Sequence, residues 1–200
     1  MADKKSLLNP FPGLRPFQSD EEHLFFGREN QTLELLQILR DNRFVGVIGT
    51  SGSGKSSLVR CGLLSELYGG SFLDAGTDWE VAVMNPGGGP FSQLSKALVS
   101  ADIYDSEEDD IHLKLNATLR RSRLGLVEAI RQSDLPEGTN VLLVVDQFEE
   151  IFRYSEAGEE EGEAADDFVS MILEAAKQSS IPIYVIITMR SDYIGDCSKF

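Results

Sequence analysis

The chain is poor in cysteine and has no long apolar run, and both shortages narrow its class. Its two cysteines, Cys61 and Cys197, are far apart and show no CxxC spacing. This excludes a disulfide-stapled secreted domain and a cysteine-rich zinc site, and it favours a reducing, cytoplasmic compartment. No apolar stretch approaches the roughly 18 residues that suggest a membrane span, and the N-terminus reaches proline before any signal-like segment. We therefore expect no contact with a membrane.

Basic residues are also scarce. The chain has 18 lysines and arginines against 33 acidic residues, a formal net charge of −15. Such a balance argues against a bulk electrostatic grip on DNA, RNA or an anionic membrane surface. Twelve of the acids lie in two runs, residues 105–110 and 156–167. We expect the first run to be a solvated loop and the second to be a flexible insertion before the next helix.

Internal repeats are absent, which excludes a solenoid or a propeller. Instead, short apolar segments rich in β-branched residues alternate with amphipathic segments at helical spacing. This alternation predicts an α/β fold with a parallel sheet covered on both faces. We predict strands over 44–48, 79–84, 141–145 and 181–188, and helices over 29–40, 55–68, 91–99, 119–132 and 168–176.

The first 27 residues differ from the rest in composition. Pro10, Pro12 and Pro16 exclude a continuous helix and predict an extended strap, whose aromatic and aliphatic side chains need a surface to pack on. We therefore divide the chain into an N-terminal strap, residues 1–27, and a globular domain, residues 28–200.

The clearest chemical motif follows the first predicted strand and matches G-x-x-x-x-G-K-[ST]. Its residues are Gly49, Thr50, Ser51, Gly52, Ser53, Gly54, Lys55 and Ser56. The glycines let backbone N–H groups converge on phosphate oxygens, at the positive end of the helix that begins there. In this P-loop motif Lys55 neutralises the β- and γ-phosphates and Ser56 offers a hydroxyl to Mg²⁺. The alternative is a glycine-rich turn that binds nothing.

A second metal contact is expected at the end of another apolar strand. Asp146 directly follows residues 141–145, the position of a Walker B aspartate. Glu149 is our first candidate for the group that activates water, with Glu150 next and Gln147 as a residue that orients the water. The alternative for the glutamate pair is the acidic first turn of a helix, which the helix dipole favours.

A basic residue follows the last predicted strand. In open parallel sheets the ligand crevice lies beyond the carboxyl ends of the strands, so Arg190 could contact a γ-phosphate there. Alternatively, Arg190 caps the strand or pairs with Asp192.

Together these segments resemble a known family, the novel STAND NTPases of bacteria, which are signal-transduction ATPases with numerous domains. The resemblance rests on five motifs in order: Phe11–Phe17 (FPGLRPF), Phe25–Glu29 (FFGRE), Gly49–Arg60 (GTSGSGKSSLVR), Asp146–Glu150 (DQFEE) and Thr188–Asp192 (TMRSD). The acidic pattern at Asp146 also looks like that of the related NACHT ATPases. One motif departs from the family: Asn85-Pro86-Gly87 stands where many members have Arg-Pro-Gly.

The resemblance implies a three-layer P-loop NTPase fold of the ASCE/STAND type that binds ATP or ADP with Mg²⁺. It places Arg28 near the adenine and phosphates, counts Ser57 among the nucleotide-binding residues, and makes Arg190 a γ-phosphate sensor. It also implies that the strand after residue 181 lies between the P-loop strand and the Asp146 strand.

The resemblance further implies a fifth strand, a helical lid and a winged-helix module, so we expect these 200 residues to be the N-terminal part of a longer protein. The partners would then be downstream sensor or effector domains and other copies of the chain. The implied function is an ATP-hydrolysing switch that controls self-assembly, in bacterial defence or regulation. The alternatives are a nucleotide-gated scaffold that does not hydrolyse and a P-loop small-molecule kinase.

Overall fold

The computed structural model describes residues 13, 15–17, 19–70, 78–104 and 110–200. Their strands are β1 (Phe44–Gly49), β2 (Trp79–Met84), β3 (Asn140–Val145) and β4 (Ile183–Arg190). Their α-helices are α1 (Glu29–Asp41), α2 (Lys55–Ser57), α3 (Leu64–Tyr68), α4 (Pro90–Ser100), α5 (Ile111–Leu119), α6 (Gly125–Gln132), α7 (Glu150–Ser155) and α8 (Glu159–Lys177). A π-helical segment, Leu58–Leu63, joins α2 to α3, and 3-10 helices span Ser19–Leu24 and Ser191–Lys199. None of the described helices is both long and apolar enough to cross a bilayer.

The four strands form one parallel sheet in the order β1-β4-β3-β2. Phe44 pairs with Val185 at the start of the β1–β4 ladder, and Val145 pairs with Ile187 near the end of the β3–β4 ladder. The prediction that β4 lies between the P-loop strand and the Asp146 strand is therefore confirmed. This order brings the carboxyl ends of β1, β3 and β4 to the same edge of the sheet.

Alternate residues of the central strands enter two separate cores, as expected for a sheet covered on both faces. Leu142, Val144 and Ile186 pack with α1 and the helix that follows β1. Leu143 and Val185 pack in the larger core, which α4 to α8 cover. The chain is thus a three-layer α/β fold, as the sequence predicts.

Two predicted boundaries are wrong. The helix predicted over 119–132 begins only at Gly125, as α6. Leu119 instead ends the preceding helix, α5, and its carbonyl group packs against Gly125. A Cβ at Gly125 would lie only 2.2 Å from the Leu119 carbonyl oxygen, so this contact needs glycine. The chain turns between them, where the Leu124 N–H donates to Ser122 Oγ.

The acidic run over 156–167 is largely helical rather than a flexible insertion. Helix α8 begins at Glu159, and its first turn contains three glutamates, which the positive end of the helix dipole favours. Ala164 and Ala165 are buried against the larger core. Of the other acidic run, Asp105 to Asp109 lie outside the described residues, and Asp110 directly precedes α5.

The larger core predicts a strong effect of truncation at Phe168 on α8. Its side chain is fully buried and meets the Phe91 ring edge-on, with centroids 5.8 Å apart. Phe168→Ala should lower the free energy of unfolding by about 3–5 kcal/mol. Urea denaturation checks this, with Leu113→Ala as the control, because Leu113 is 70% exposed and its loss should change stability by less than about 0.5 kcal/mol. Equal effects of the two changes would contradict the assignment of the core.

Candidate functional site

The P-loop motif forms a tight turn at the carboxyl end of β1. Gly52 and Gly54 have φ values of +73° and +82°, the left-handed region that glycine adopts readily. Gly49 is needed for a different reason, since a Cβ there would lie 2.9 Å from Ser53 Oγ. Lys55 Nζ donates to the carbonyl oxygens of Gly49 (3.0 Å) and Thr50 (2.8 Å). The lysine side chain therefore folds back and contacts the backbone of the P-loop.

The helix after the loop carries two side chains to Asp146, at the end of β3. Ser56 Oγ donates to Asp146 Oδ1 over 2.7 Å, and Arg60 Nη2 lies 3.1 Å from Asp146 Oδ2. From β4, Thr188 Oγ1 donates to Asp146 Oδ1 over 2.6 Å. Asp146 is only 5% exposed, so these donors provide the hydrogen bonds that a buried carboxyl group needs. We predicted that Ser56 and Asp146 each contact Mg²⁺, and the structure places the two side chains within hydrogen-bond distance of each other.

The turn after Asp146 directs the next side chains. Gln147 has a φ of +58°, and its N–H donates to Thr188 Oγ1 over 3.1 Å. Its side-chain oxygen accepts from Asn85 Nδ2 over 2.9 Å. Asn85 belongs to the segment that departs from the family pattern, and here it contacts the candidate water-orienting residue.

The two glutamates occupy different places. Glu149 is buried, and its Oε2 accepts from the Arg190 N–H over 3.3 Å. Glu150 begins α7 and pairs with Arg153 over 3.1 Å. Glu149 lines the cavity described below, whereas Glu150 does not. Of the two candidates, only Glu149 faces the P-loop, and Glu150 fits the alternative of an acidic first turn.

Arg190 reaches the same cavity and is paired with Asp192 through Nη2. Its guanidinium carbon lies 5.5 Å from the centre of the Tyr193 ring. The hydrogen bond from Arg190 lowers the pKa of Asp192, which also accepts from its own N–H, and the charge of Lys55 lowers that pKa further. The alternative prediction, pairing with Asp192, therefore describes this arrangement.

These residues surround a cavity of about 570 Å³. The first wall is the P-loop, with Ser51, Gly52, Gly54, Lys55, Ser56 and Ser57. The second contains Gln147, Glu149, Thr188 and Arg190. The third is the described part of the N-terminal strap, with Gly13, Arg15, Pro16, Phe17 and Phe25. Neither Thr188 nor the residues of the N-terminal strap were predicted to belong to the site. The signal available in the sequence was that the aromatic side chains of the N-terminal strap need a surface to pack on.

The N-terminal strap is hydrogen-bonded to the helix that follows the P-loop. The Phe17 N–H donates to Ser57 Oγ over 3.1 Å, and the Phe17 and Phe25 rings meet edge-on at 6.1 Å. The buried Ser57 hydroxyl therefore already accepts a hydrogen bond from the backbone of the same chain. Arg28 does not line the cavity, but its Nη1 lies 3.6 Å from where a Cβ of Gly54 would stand, so it lies against the loop.

Comparison with protein families matches residues 10–200 to Novel STAND NTPase 1. The chain belongs to this STAND family. A search of curated proteins gives no match. Among solved structures, the chain is similar to the Aeropyrum pernix ORC2 protein, described as ADPNP–ADP complexes, with a TM-score of 0.52 and 12% identity. The similarity covers 84% of this chain and 42% of that one, and at this identity it shows the fold alone.

For a STAND NTPase the expected groups are a nucleotide and Mg²⁺, and the residues present fit both. Ser53 Oγ is buried inside the loop with no hydrogen-bond partner among the described residues, and a bound phosphate could provide one. Gly52 lines the cavity, and apart from its chain neighbours no residue that the structure describes would have an atom within 4 Å of a Cβ there, so the loop leaves room for a ligand at this point. Ser56 and Asp146 supply the oxygen ligands that Mg²⁺ prefers. Among the described residues no cluster of three His, Cys, Asp or Glu side chains offers another metal site.

Proposed function

We propose that this STAND NTPase binds ATP with Mg²⁺ in the cavity and hydrolyses it slowly. The observation that carries the proposal is the contact of Ser56 with Asp146, at the rim of a cavity that the buried Glu149 also lines. A phosphate cradle, two oxygen ligands for a metal and a carboxylate facing them are the parts that phosphoryl transfer to water requires.

The P-loop residues from Gly49 to Ser56 hold the phosphates through backbone N–H groups, and Lys55 neutralises their charge. Ser56 and Asp146 would hold Mg²⁺, which supplies further neutralisation of phosphate oxygens when bound. Arg28, beside Gly54, and Ser57, which follows the loop and lines the cavity, are the remaining residues that we assign to nucleotide binding. Together these groups position the nucleotide.

Glu149 accepts a proton from the attacking water, while Gln147, held by Asn85, orients that water. The water oxygen forms a bond to the γ-phosphorus, the bond from phosphorus to the bridging oxygen breaks, and ADP and phosphate leave. Arg190 contacts the γ-phosphate, so the position of its side chain depends on whether that phosphate is present. Glu150 plays no direct part in this step, since it pairs with Arg153 outside the cavity.

We propose further that nucleotide exchange changes how residues 28–200 pack against downstream domains of the same protein, and so controls self-assembly of a cytoplasmic bacterial signalling protein. The STAND family membership supports a signalling switch, and the nucleotide complexes of the ORC2 protein support nucleotide binding by this fold. The strap, residues 1–27, forms one wall of the site in its described part.

A nucleotide-gated scaffold is the second candidate, because Arg190 is held by Asp192 and Glu149 accepts from a backbone N–H in this arrangement. Either contact could keep the site from completing the reaction. The small-molecule kinase is not supported. A kinase-type sheet would pair β1 directly with β3, whereas here β4 lies between them.

Calorimetry and a phosphate-release assay on the 200-residue chain test the proposal. We expect ATP to bind in the presence of Mg²⁺ and phosphate to appear at a rate well below the roughly 10 s⁻¹ that is typical of enzymes. The reason is that catalysis here is mostly positioning, and in this arrangement Arg190 is held by Asp192. Binding without phosphate release above that of a Lys55→Ala control would favour the scaffold, and absence of binding would contradict both functions.

A further inference from the structure

Asp192 follows the last strand and pairs with a residue of the cavity, and the proposed reaction does not use it. It follows Arg190 by two residues, at the start of the 3-10 helix Ser191–Lys199, and its carboxylate binds the Arg190 guanidinium. Arg190 lines the cavity, whereas Asp192 does not. The residue that would sense a γ-phosphate is therefore already bound to an anion from its own chain.

The Arg190 side chain is only partly satisfied by this pairing. Its Nε is buried and has no hydrogen-bond partner among the described residues. Buried guanidinium donors are normally hydrogen-bonded, so Arg190 Nε is a donor that a further acceptor, such as a phosphate oxygen, would satisfy. A phosphate group offers several acceptor oxygens to one guanidinium, more than the carboxylate uses here.

Asp192 also lies within the electrostatic reach of the P-loop. The charge of Lys55 acts on its carboxylate, in addition to the hydrogen bond from Arg190. The two cations assigned to the phosphates thus both attract this one acid. In its charge and in its contact with Arg190, Asp192 resembles an internal substitute for the terminal phosphate.

We propose that Asp192 competes with the γ-phosphate for Arg190 and thereby sets the preference of this site for ATP over ADP. The inference rests on the proposed nucleotide-binding function. ADP lacks the group that would displace Asp192, so the pairing opposes only ATP binding. A ligand shifts such an equilibrium by its differential interaction with the two states, and here the γ-phosphate supplies that difference.

Asp192→Asn tests the proposal, with dissociation constants measured by calorimetry for the non-hydrolysable imido analogue of ATP and for ADP, each with Mg²⁺. The pair is partly exposed, at 37% for Arg190 and 52% for Asp192, so its contribution is modest. We expect the affinity for the analogue to rise about three- to fivefold and that for ADP to stay within twofold, about the range of an exposed ion pair. Asp192→Ser, which also removes the charge, should behave alike.

Asp196→Asn is the matched control. Asp196 lies on the same 3-10 helix but pairs with Lys199 over 3.0 Å, so its loss should leave the ratio of the two affinities unchanged. A similar gain in this control would show a general effect of negative charge and overturn the proposal.

A double-mutant cycle shows whether Asp192 acts through Arg190. In an Arg190→Ala background the effect of Asp192→Asn should disappear. Persistence of the effect there, equal gains for both nucleotides, or a loss of affinity for the analogue in Asp192→Asn would each overturn the inference. If the unchanged chain binds neither nucleotide, the proposed function fails and the inference fails with it. Binding with an unchanged ratio contradicts the inference alone.

Discussion

Replacing Lys55 with alanine should weaken ATP binding by about 100-fold or more, since leaving buried charge without its partner costs on the order of 3 kcal/mol. In the nucleotide-free arrangement Lys55 Nζ is held by the carbonyl oxygens of Gly49 and Thr50. These neutral acceptors keep the ammonium group at the mouth of the loop, where it can turn to a phosphate. Removing it leaves the phosphate charge uncompensated above the loop. Calorimetry with ATP and Mg²⁺ measures the loss.

Lys96→Ala is the matched control for this change. Lys96 is an exposed residue of α4 and does not line the cavity, so its removal subtracts the same charge without touching the loop. Its affinity for ATP should match that of the unchanged chain. An unchanged affinity in Lys55→Ala would mean that the glycine-rich turn binds no nucleotide, and the assignment of the site would fail.

The sheet could be predicted from the sequence because its determinants are local. Each central strand is a short run of β-branched and aliphatic residues, and such a run suits a strand buried on both faces. The order of the strands is not a local property. It came from the resemblance to the STAND family and is confirmed by the pairing of β4 with both β1 and β3.

The contacts of Asp146 were predictable only in part. The two motifs assign Ser56 and Asp146 to the same Mg²⁺ ion, so their closeness was to be expected. The ion pair of Asp146 with Arg60 depends instead on how the helix is wound between Ser56 and Arg60. Arg60 lies in the π-helical segment Leu58–Leu63, and the wider turn changes which side chains face β3. Nothing in the local propensities indicates such a segment, although Arg60 ends the motif that carried the family resemblance.

The sequence made Glu149 the first candidate for the base and Glu150 the second, but the division of roles between them needed the structure. The two residues are adjacent and chemically identical, so local composition does not show which side chain enters the cavity. The positive φ of Gln147 turns the chain so that Glu149 enters the cavity and Glu150 begins α7. A backbone conformation that a non-glycine residue adopts rarely is held here by the hydrogen bond from the Gln147 N–H to Thr188.

This difference leads to the second large effect, which concerns turnover rather than binding. Glu149→Gln should lower the rate of phosphate release by about 100-fold or more, the usual contribution of a positioned proton acceptor. The amide keeps the size of the side chain and can still accept from the Arg190 N–H, as the carboxylate does over 3.3 Å. It cannot take the proton of the attacking water. The affinity for ATP should therefore change little, and the loss should fall on kcat rather than on KM.

Glu150→Gln is the control, because it changes the neighbouring residue in the same way. Glu150 pairs with Arg153 outside the cavity, so its amide should cost only that partly exposed ion pair, about 1 kcal/mol of stability or less, and leave phosphate release within about twofold. Rates and affinities are measured for both variants under single-turnover conditions, which separate chemistry from product release. A larger loss of rate in Glu150→Gln than in Glu149→Gln would show that Glu150 is the base and that the assignment to Glu149 is wrong. Equal rates in both variants and the unchanged chain would mean that neither carboxylate handles the water, because a neutral amide at either position would then serve as well. In that case Gln147, which lines the cavity and is held by Asn85, would be left as the residue that orients the water without accepting its proton.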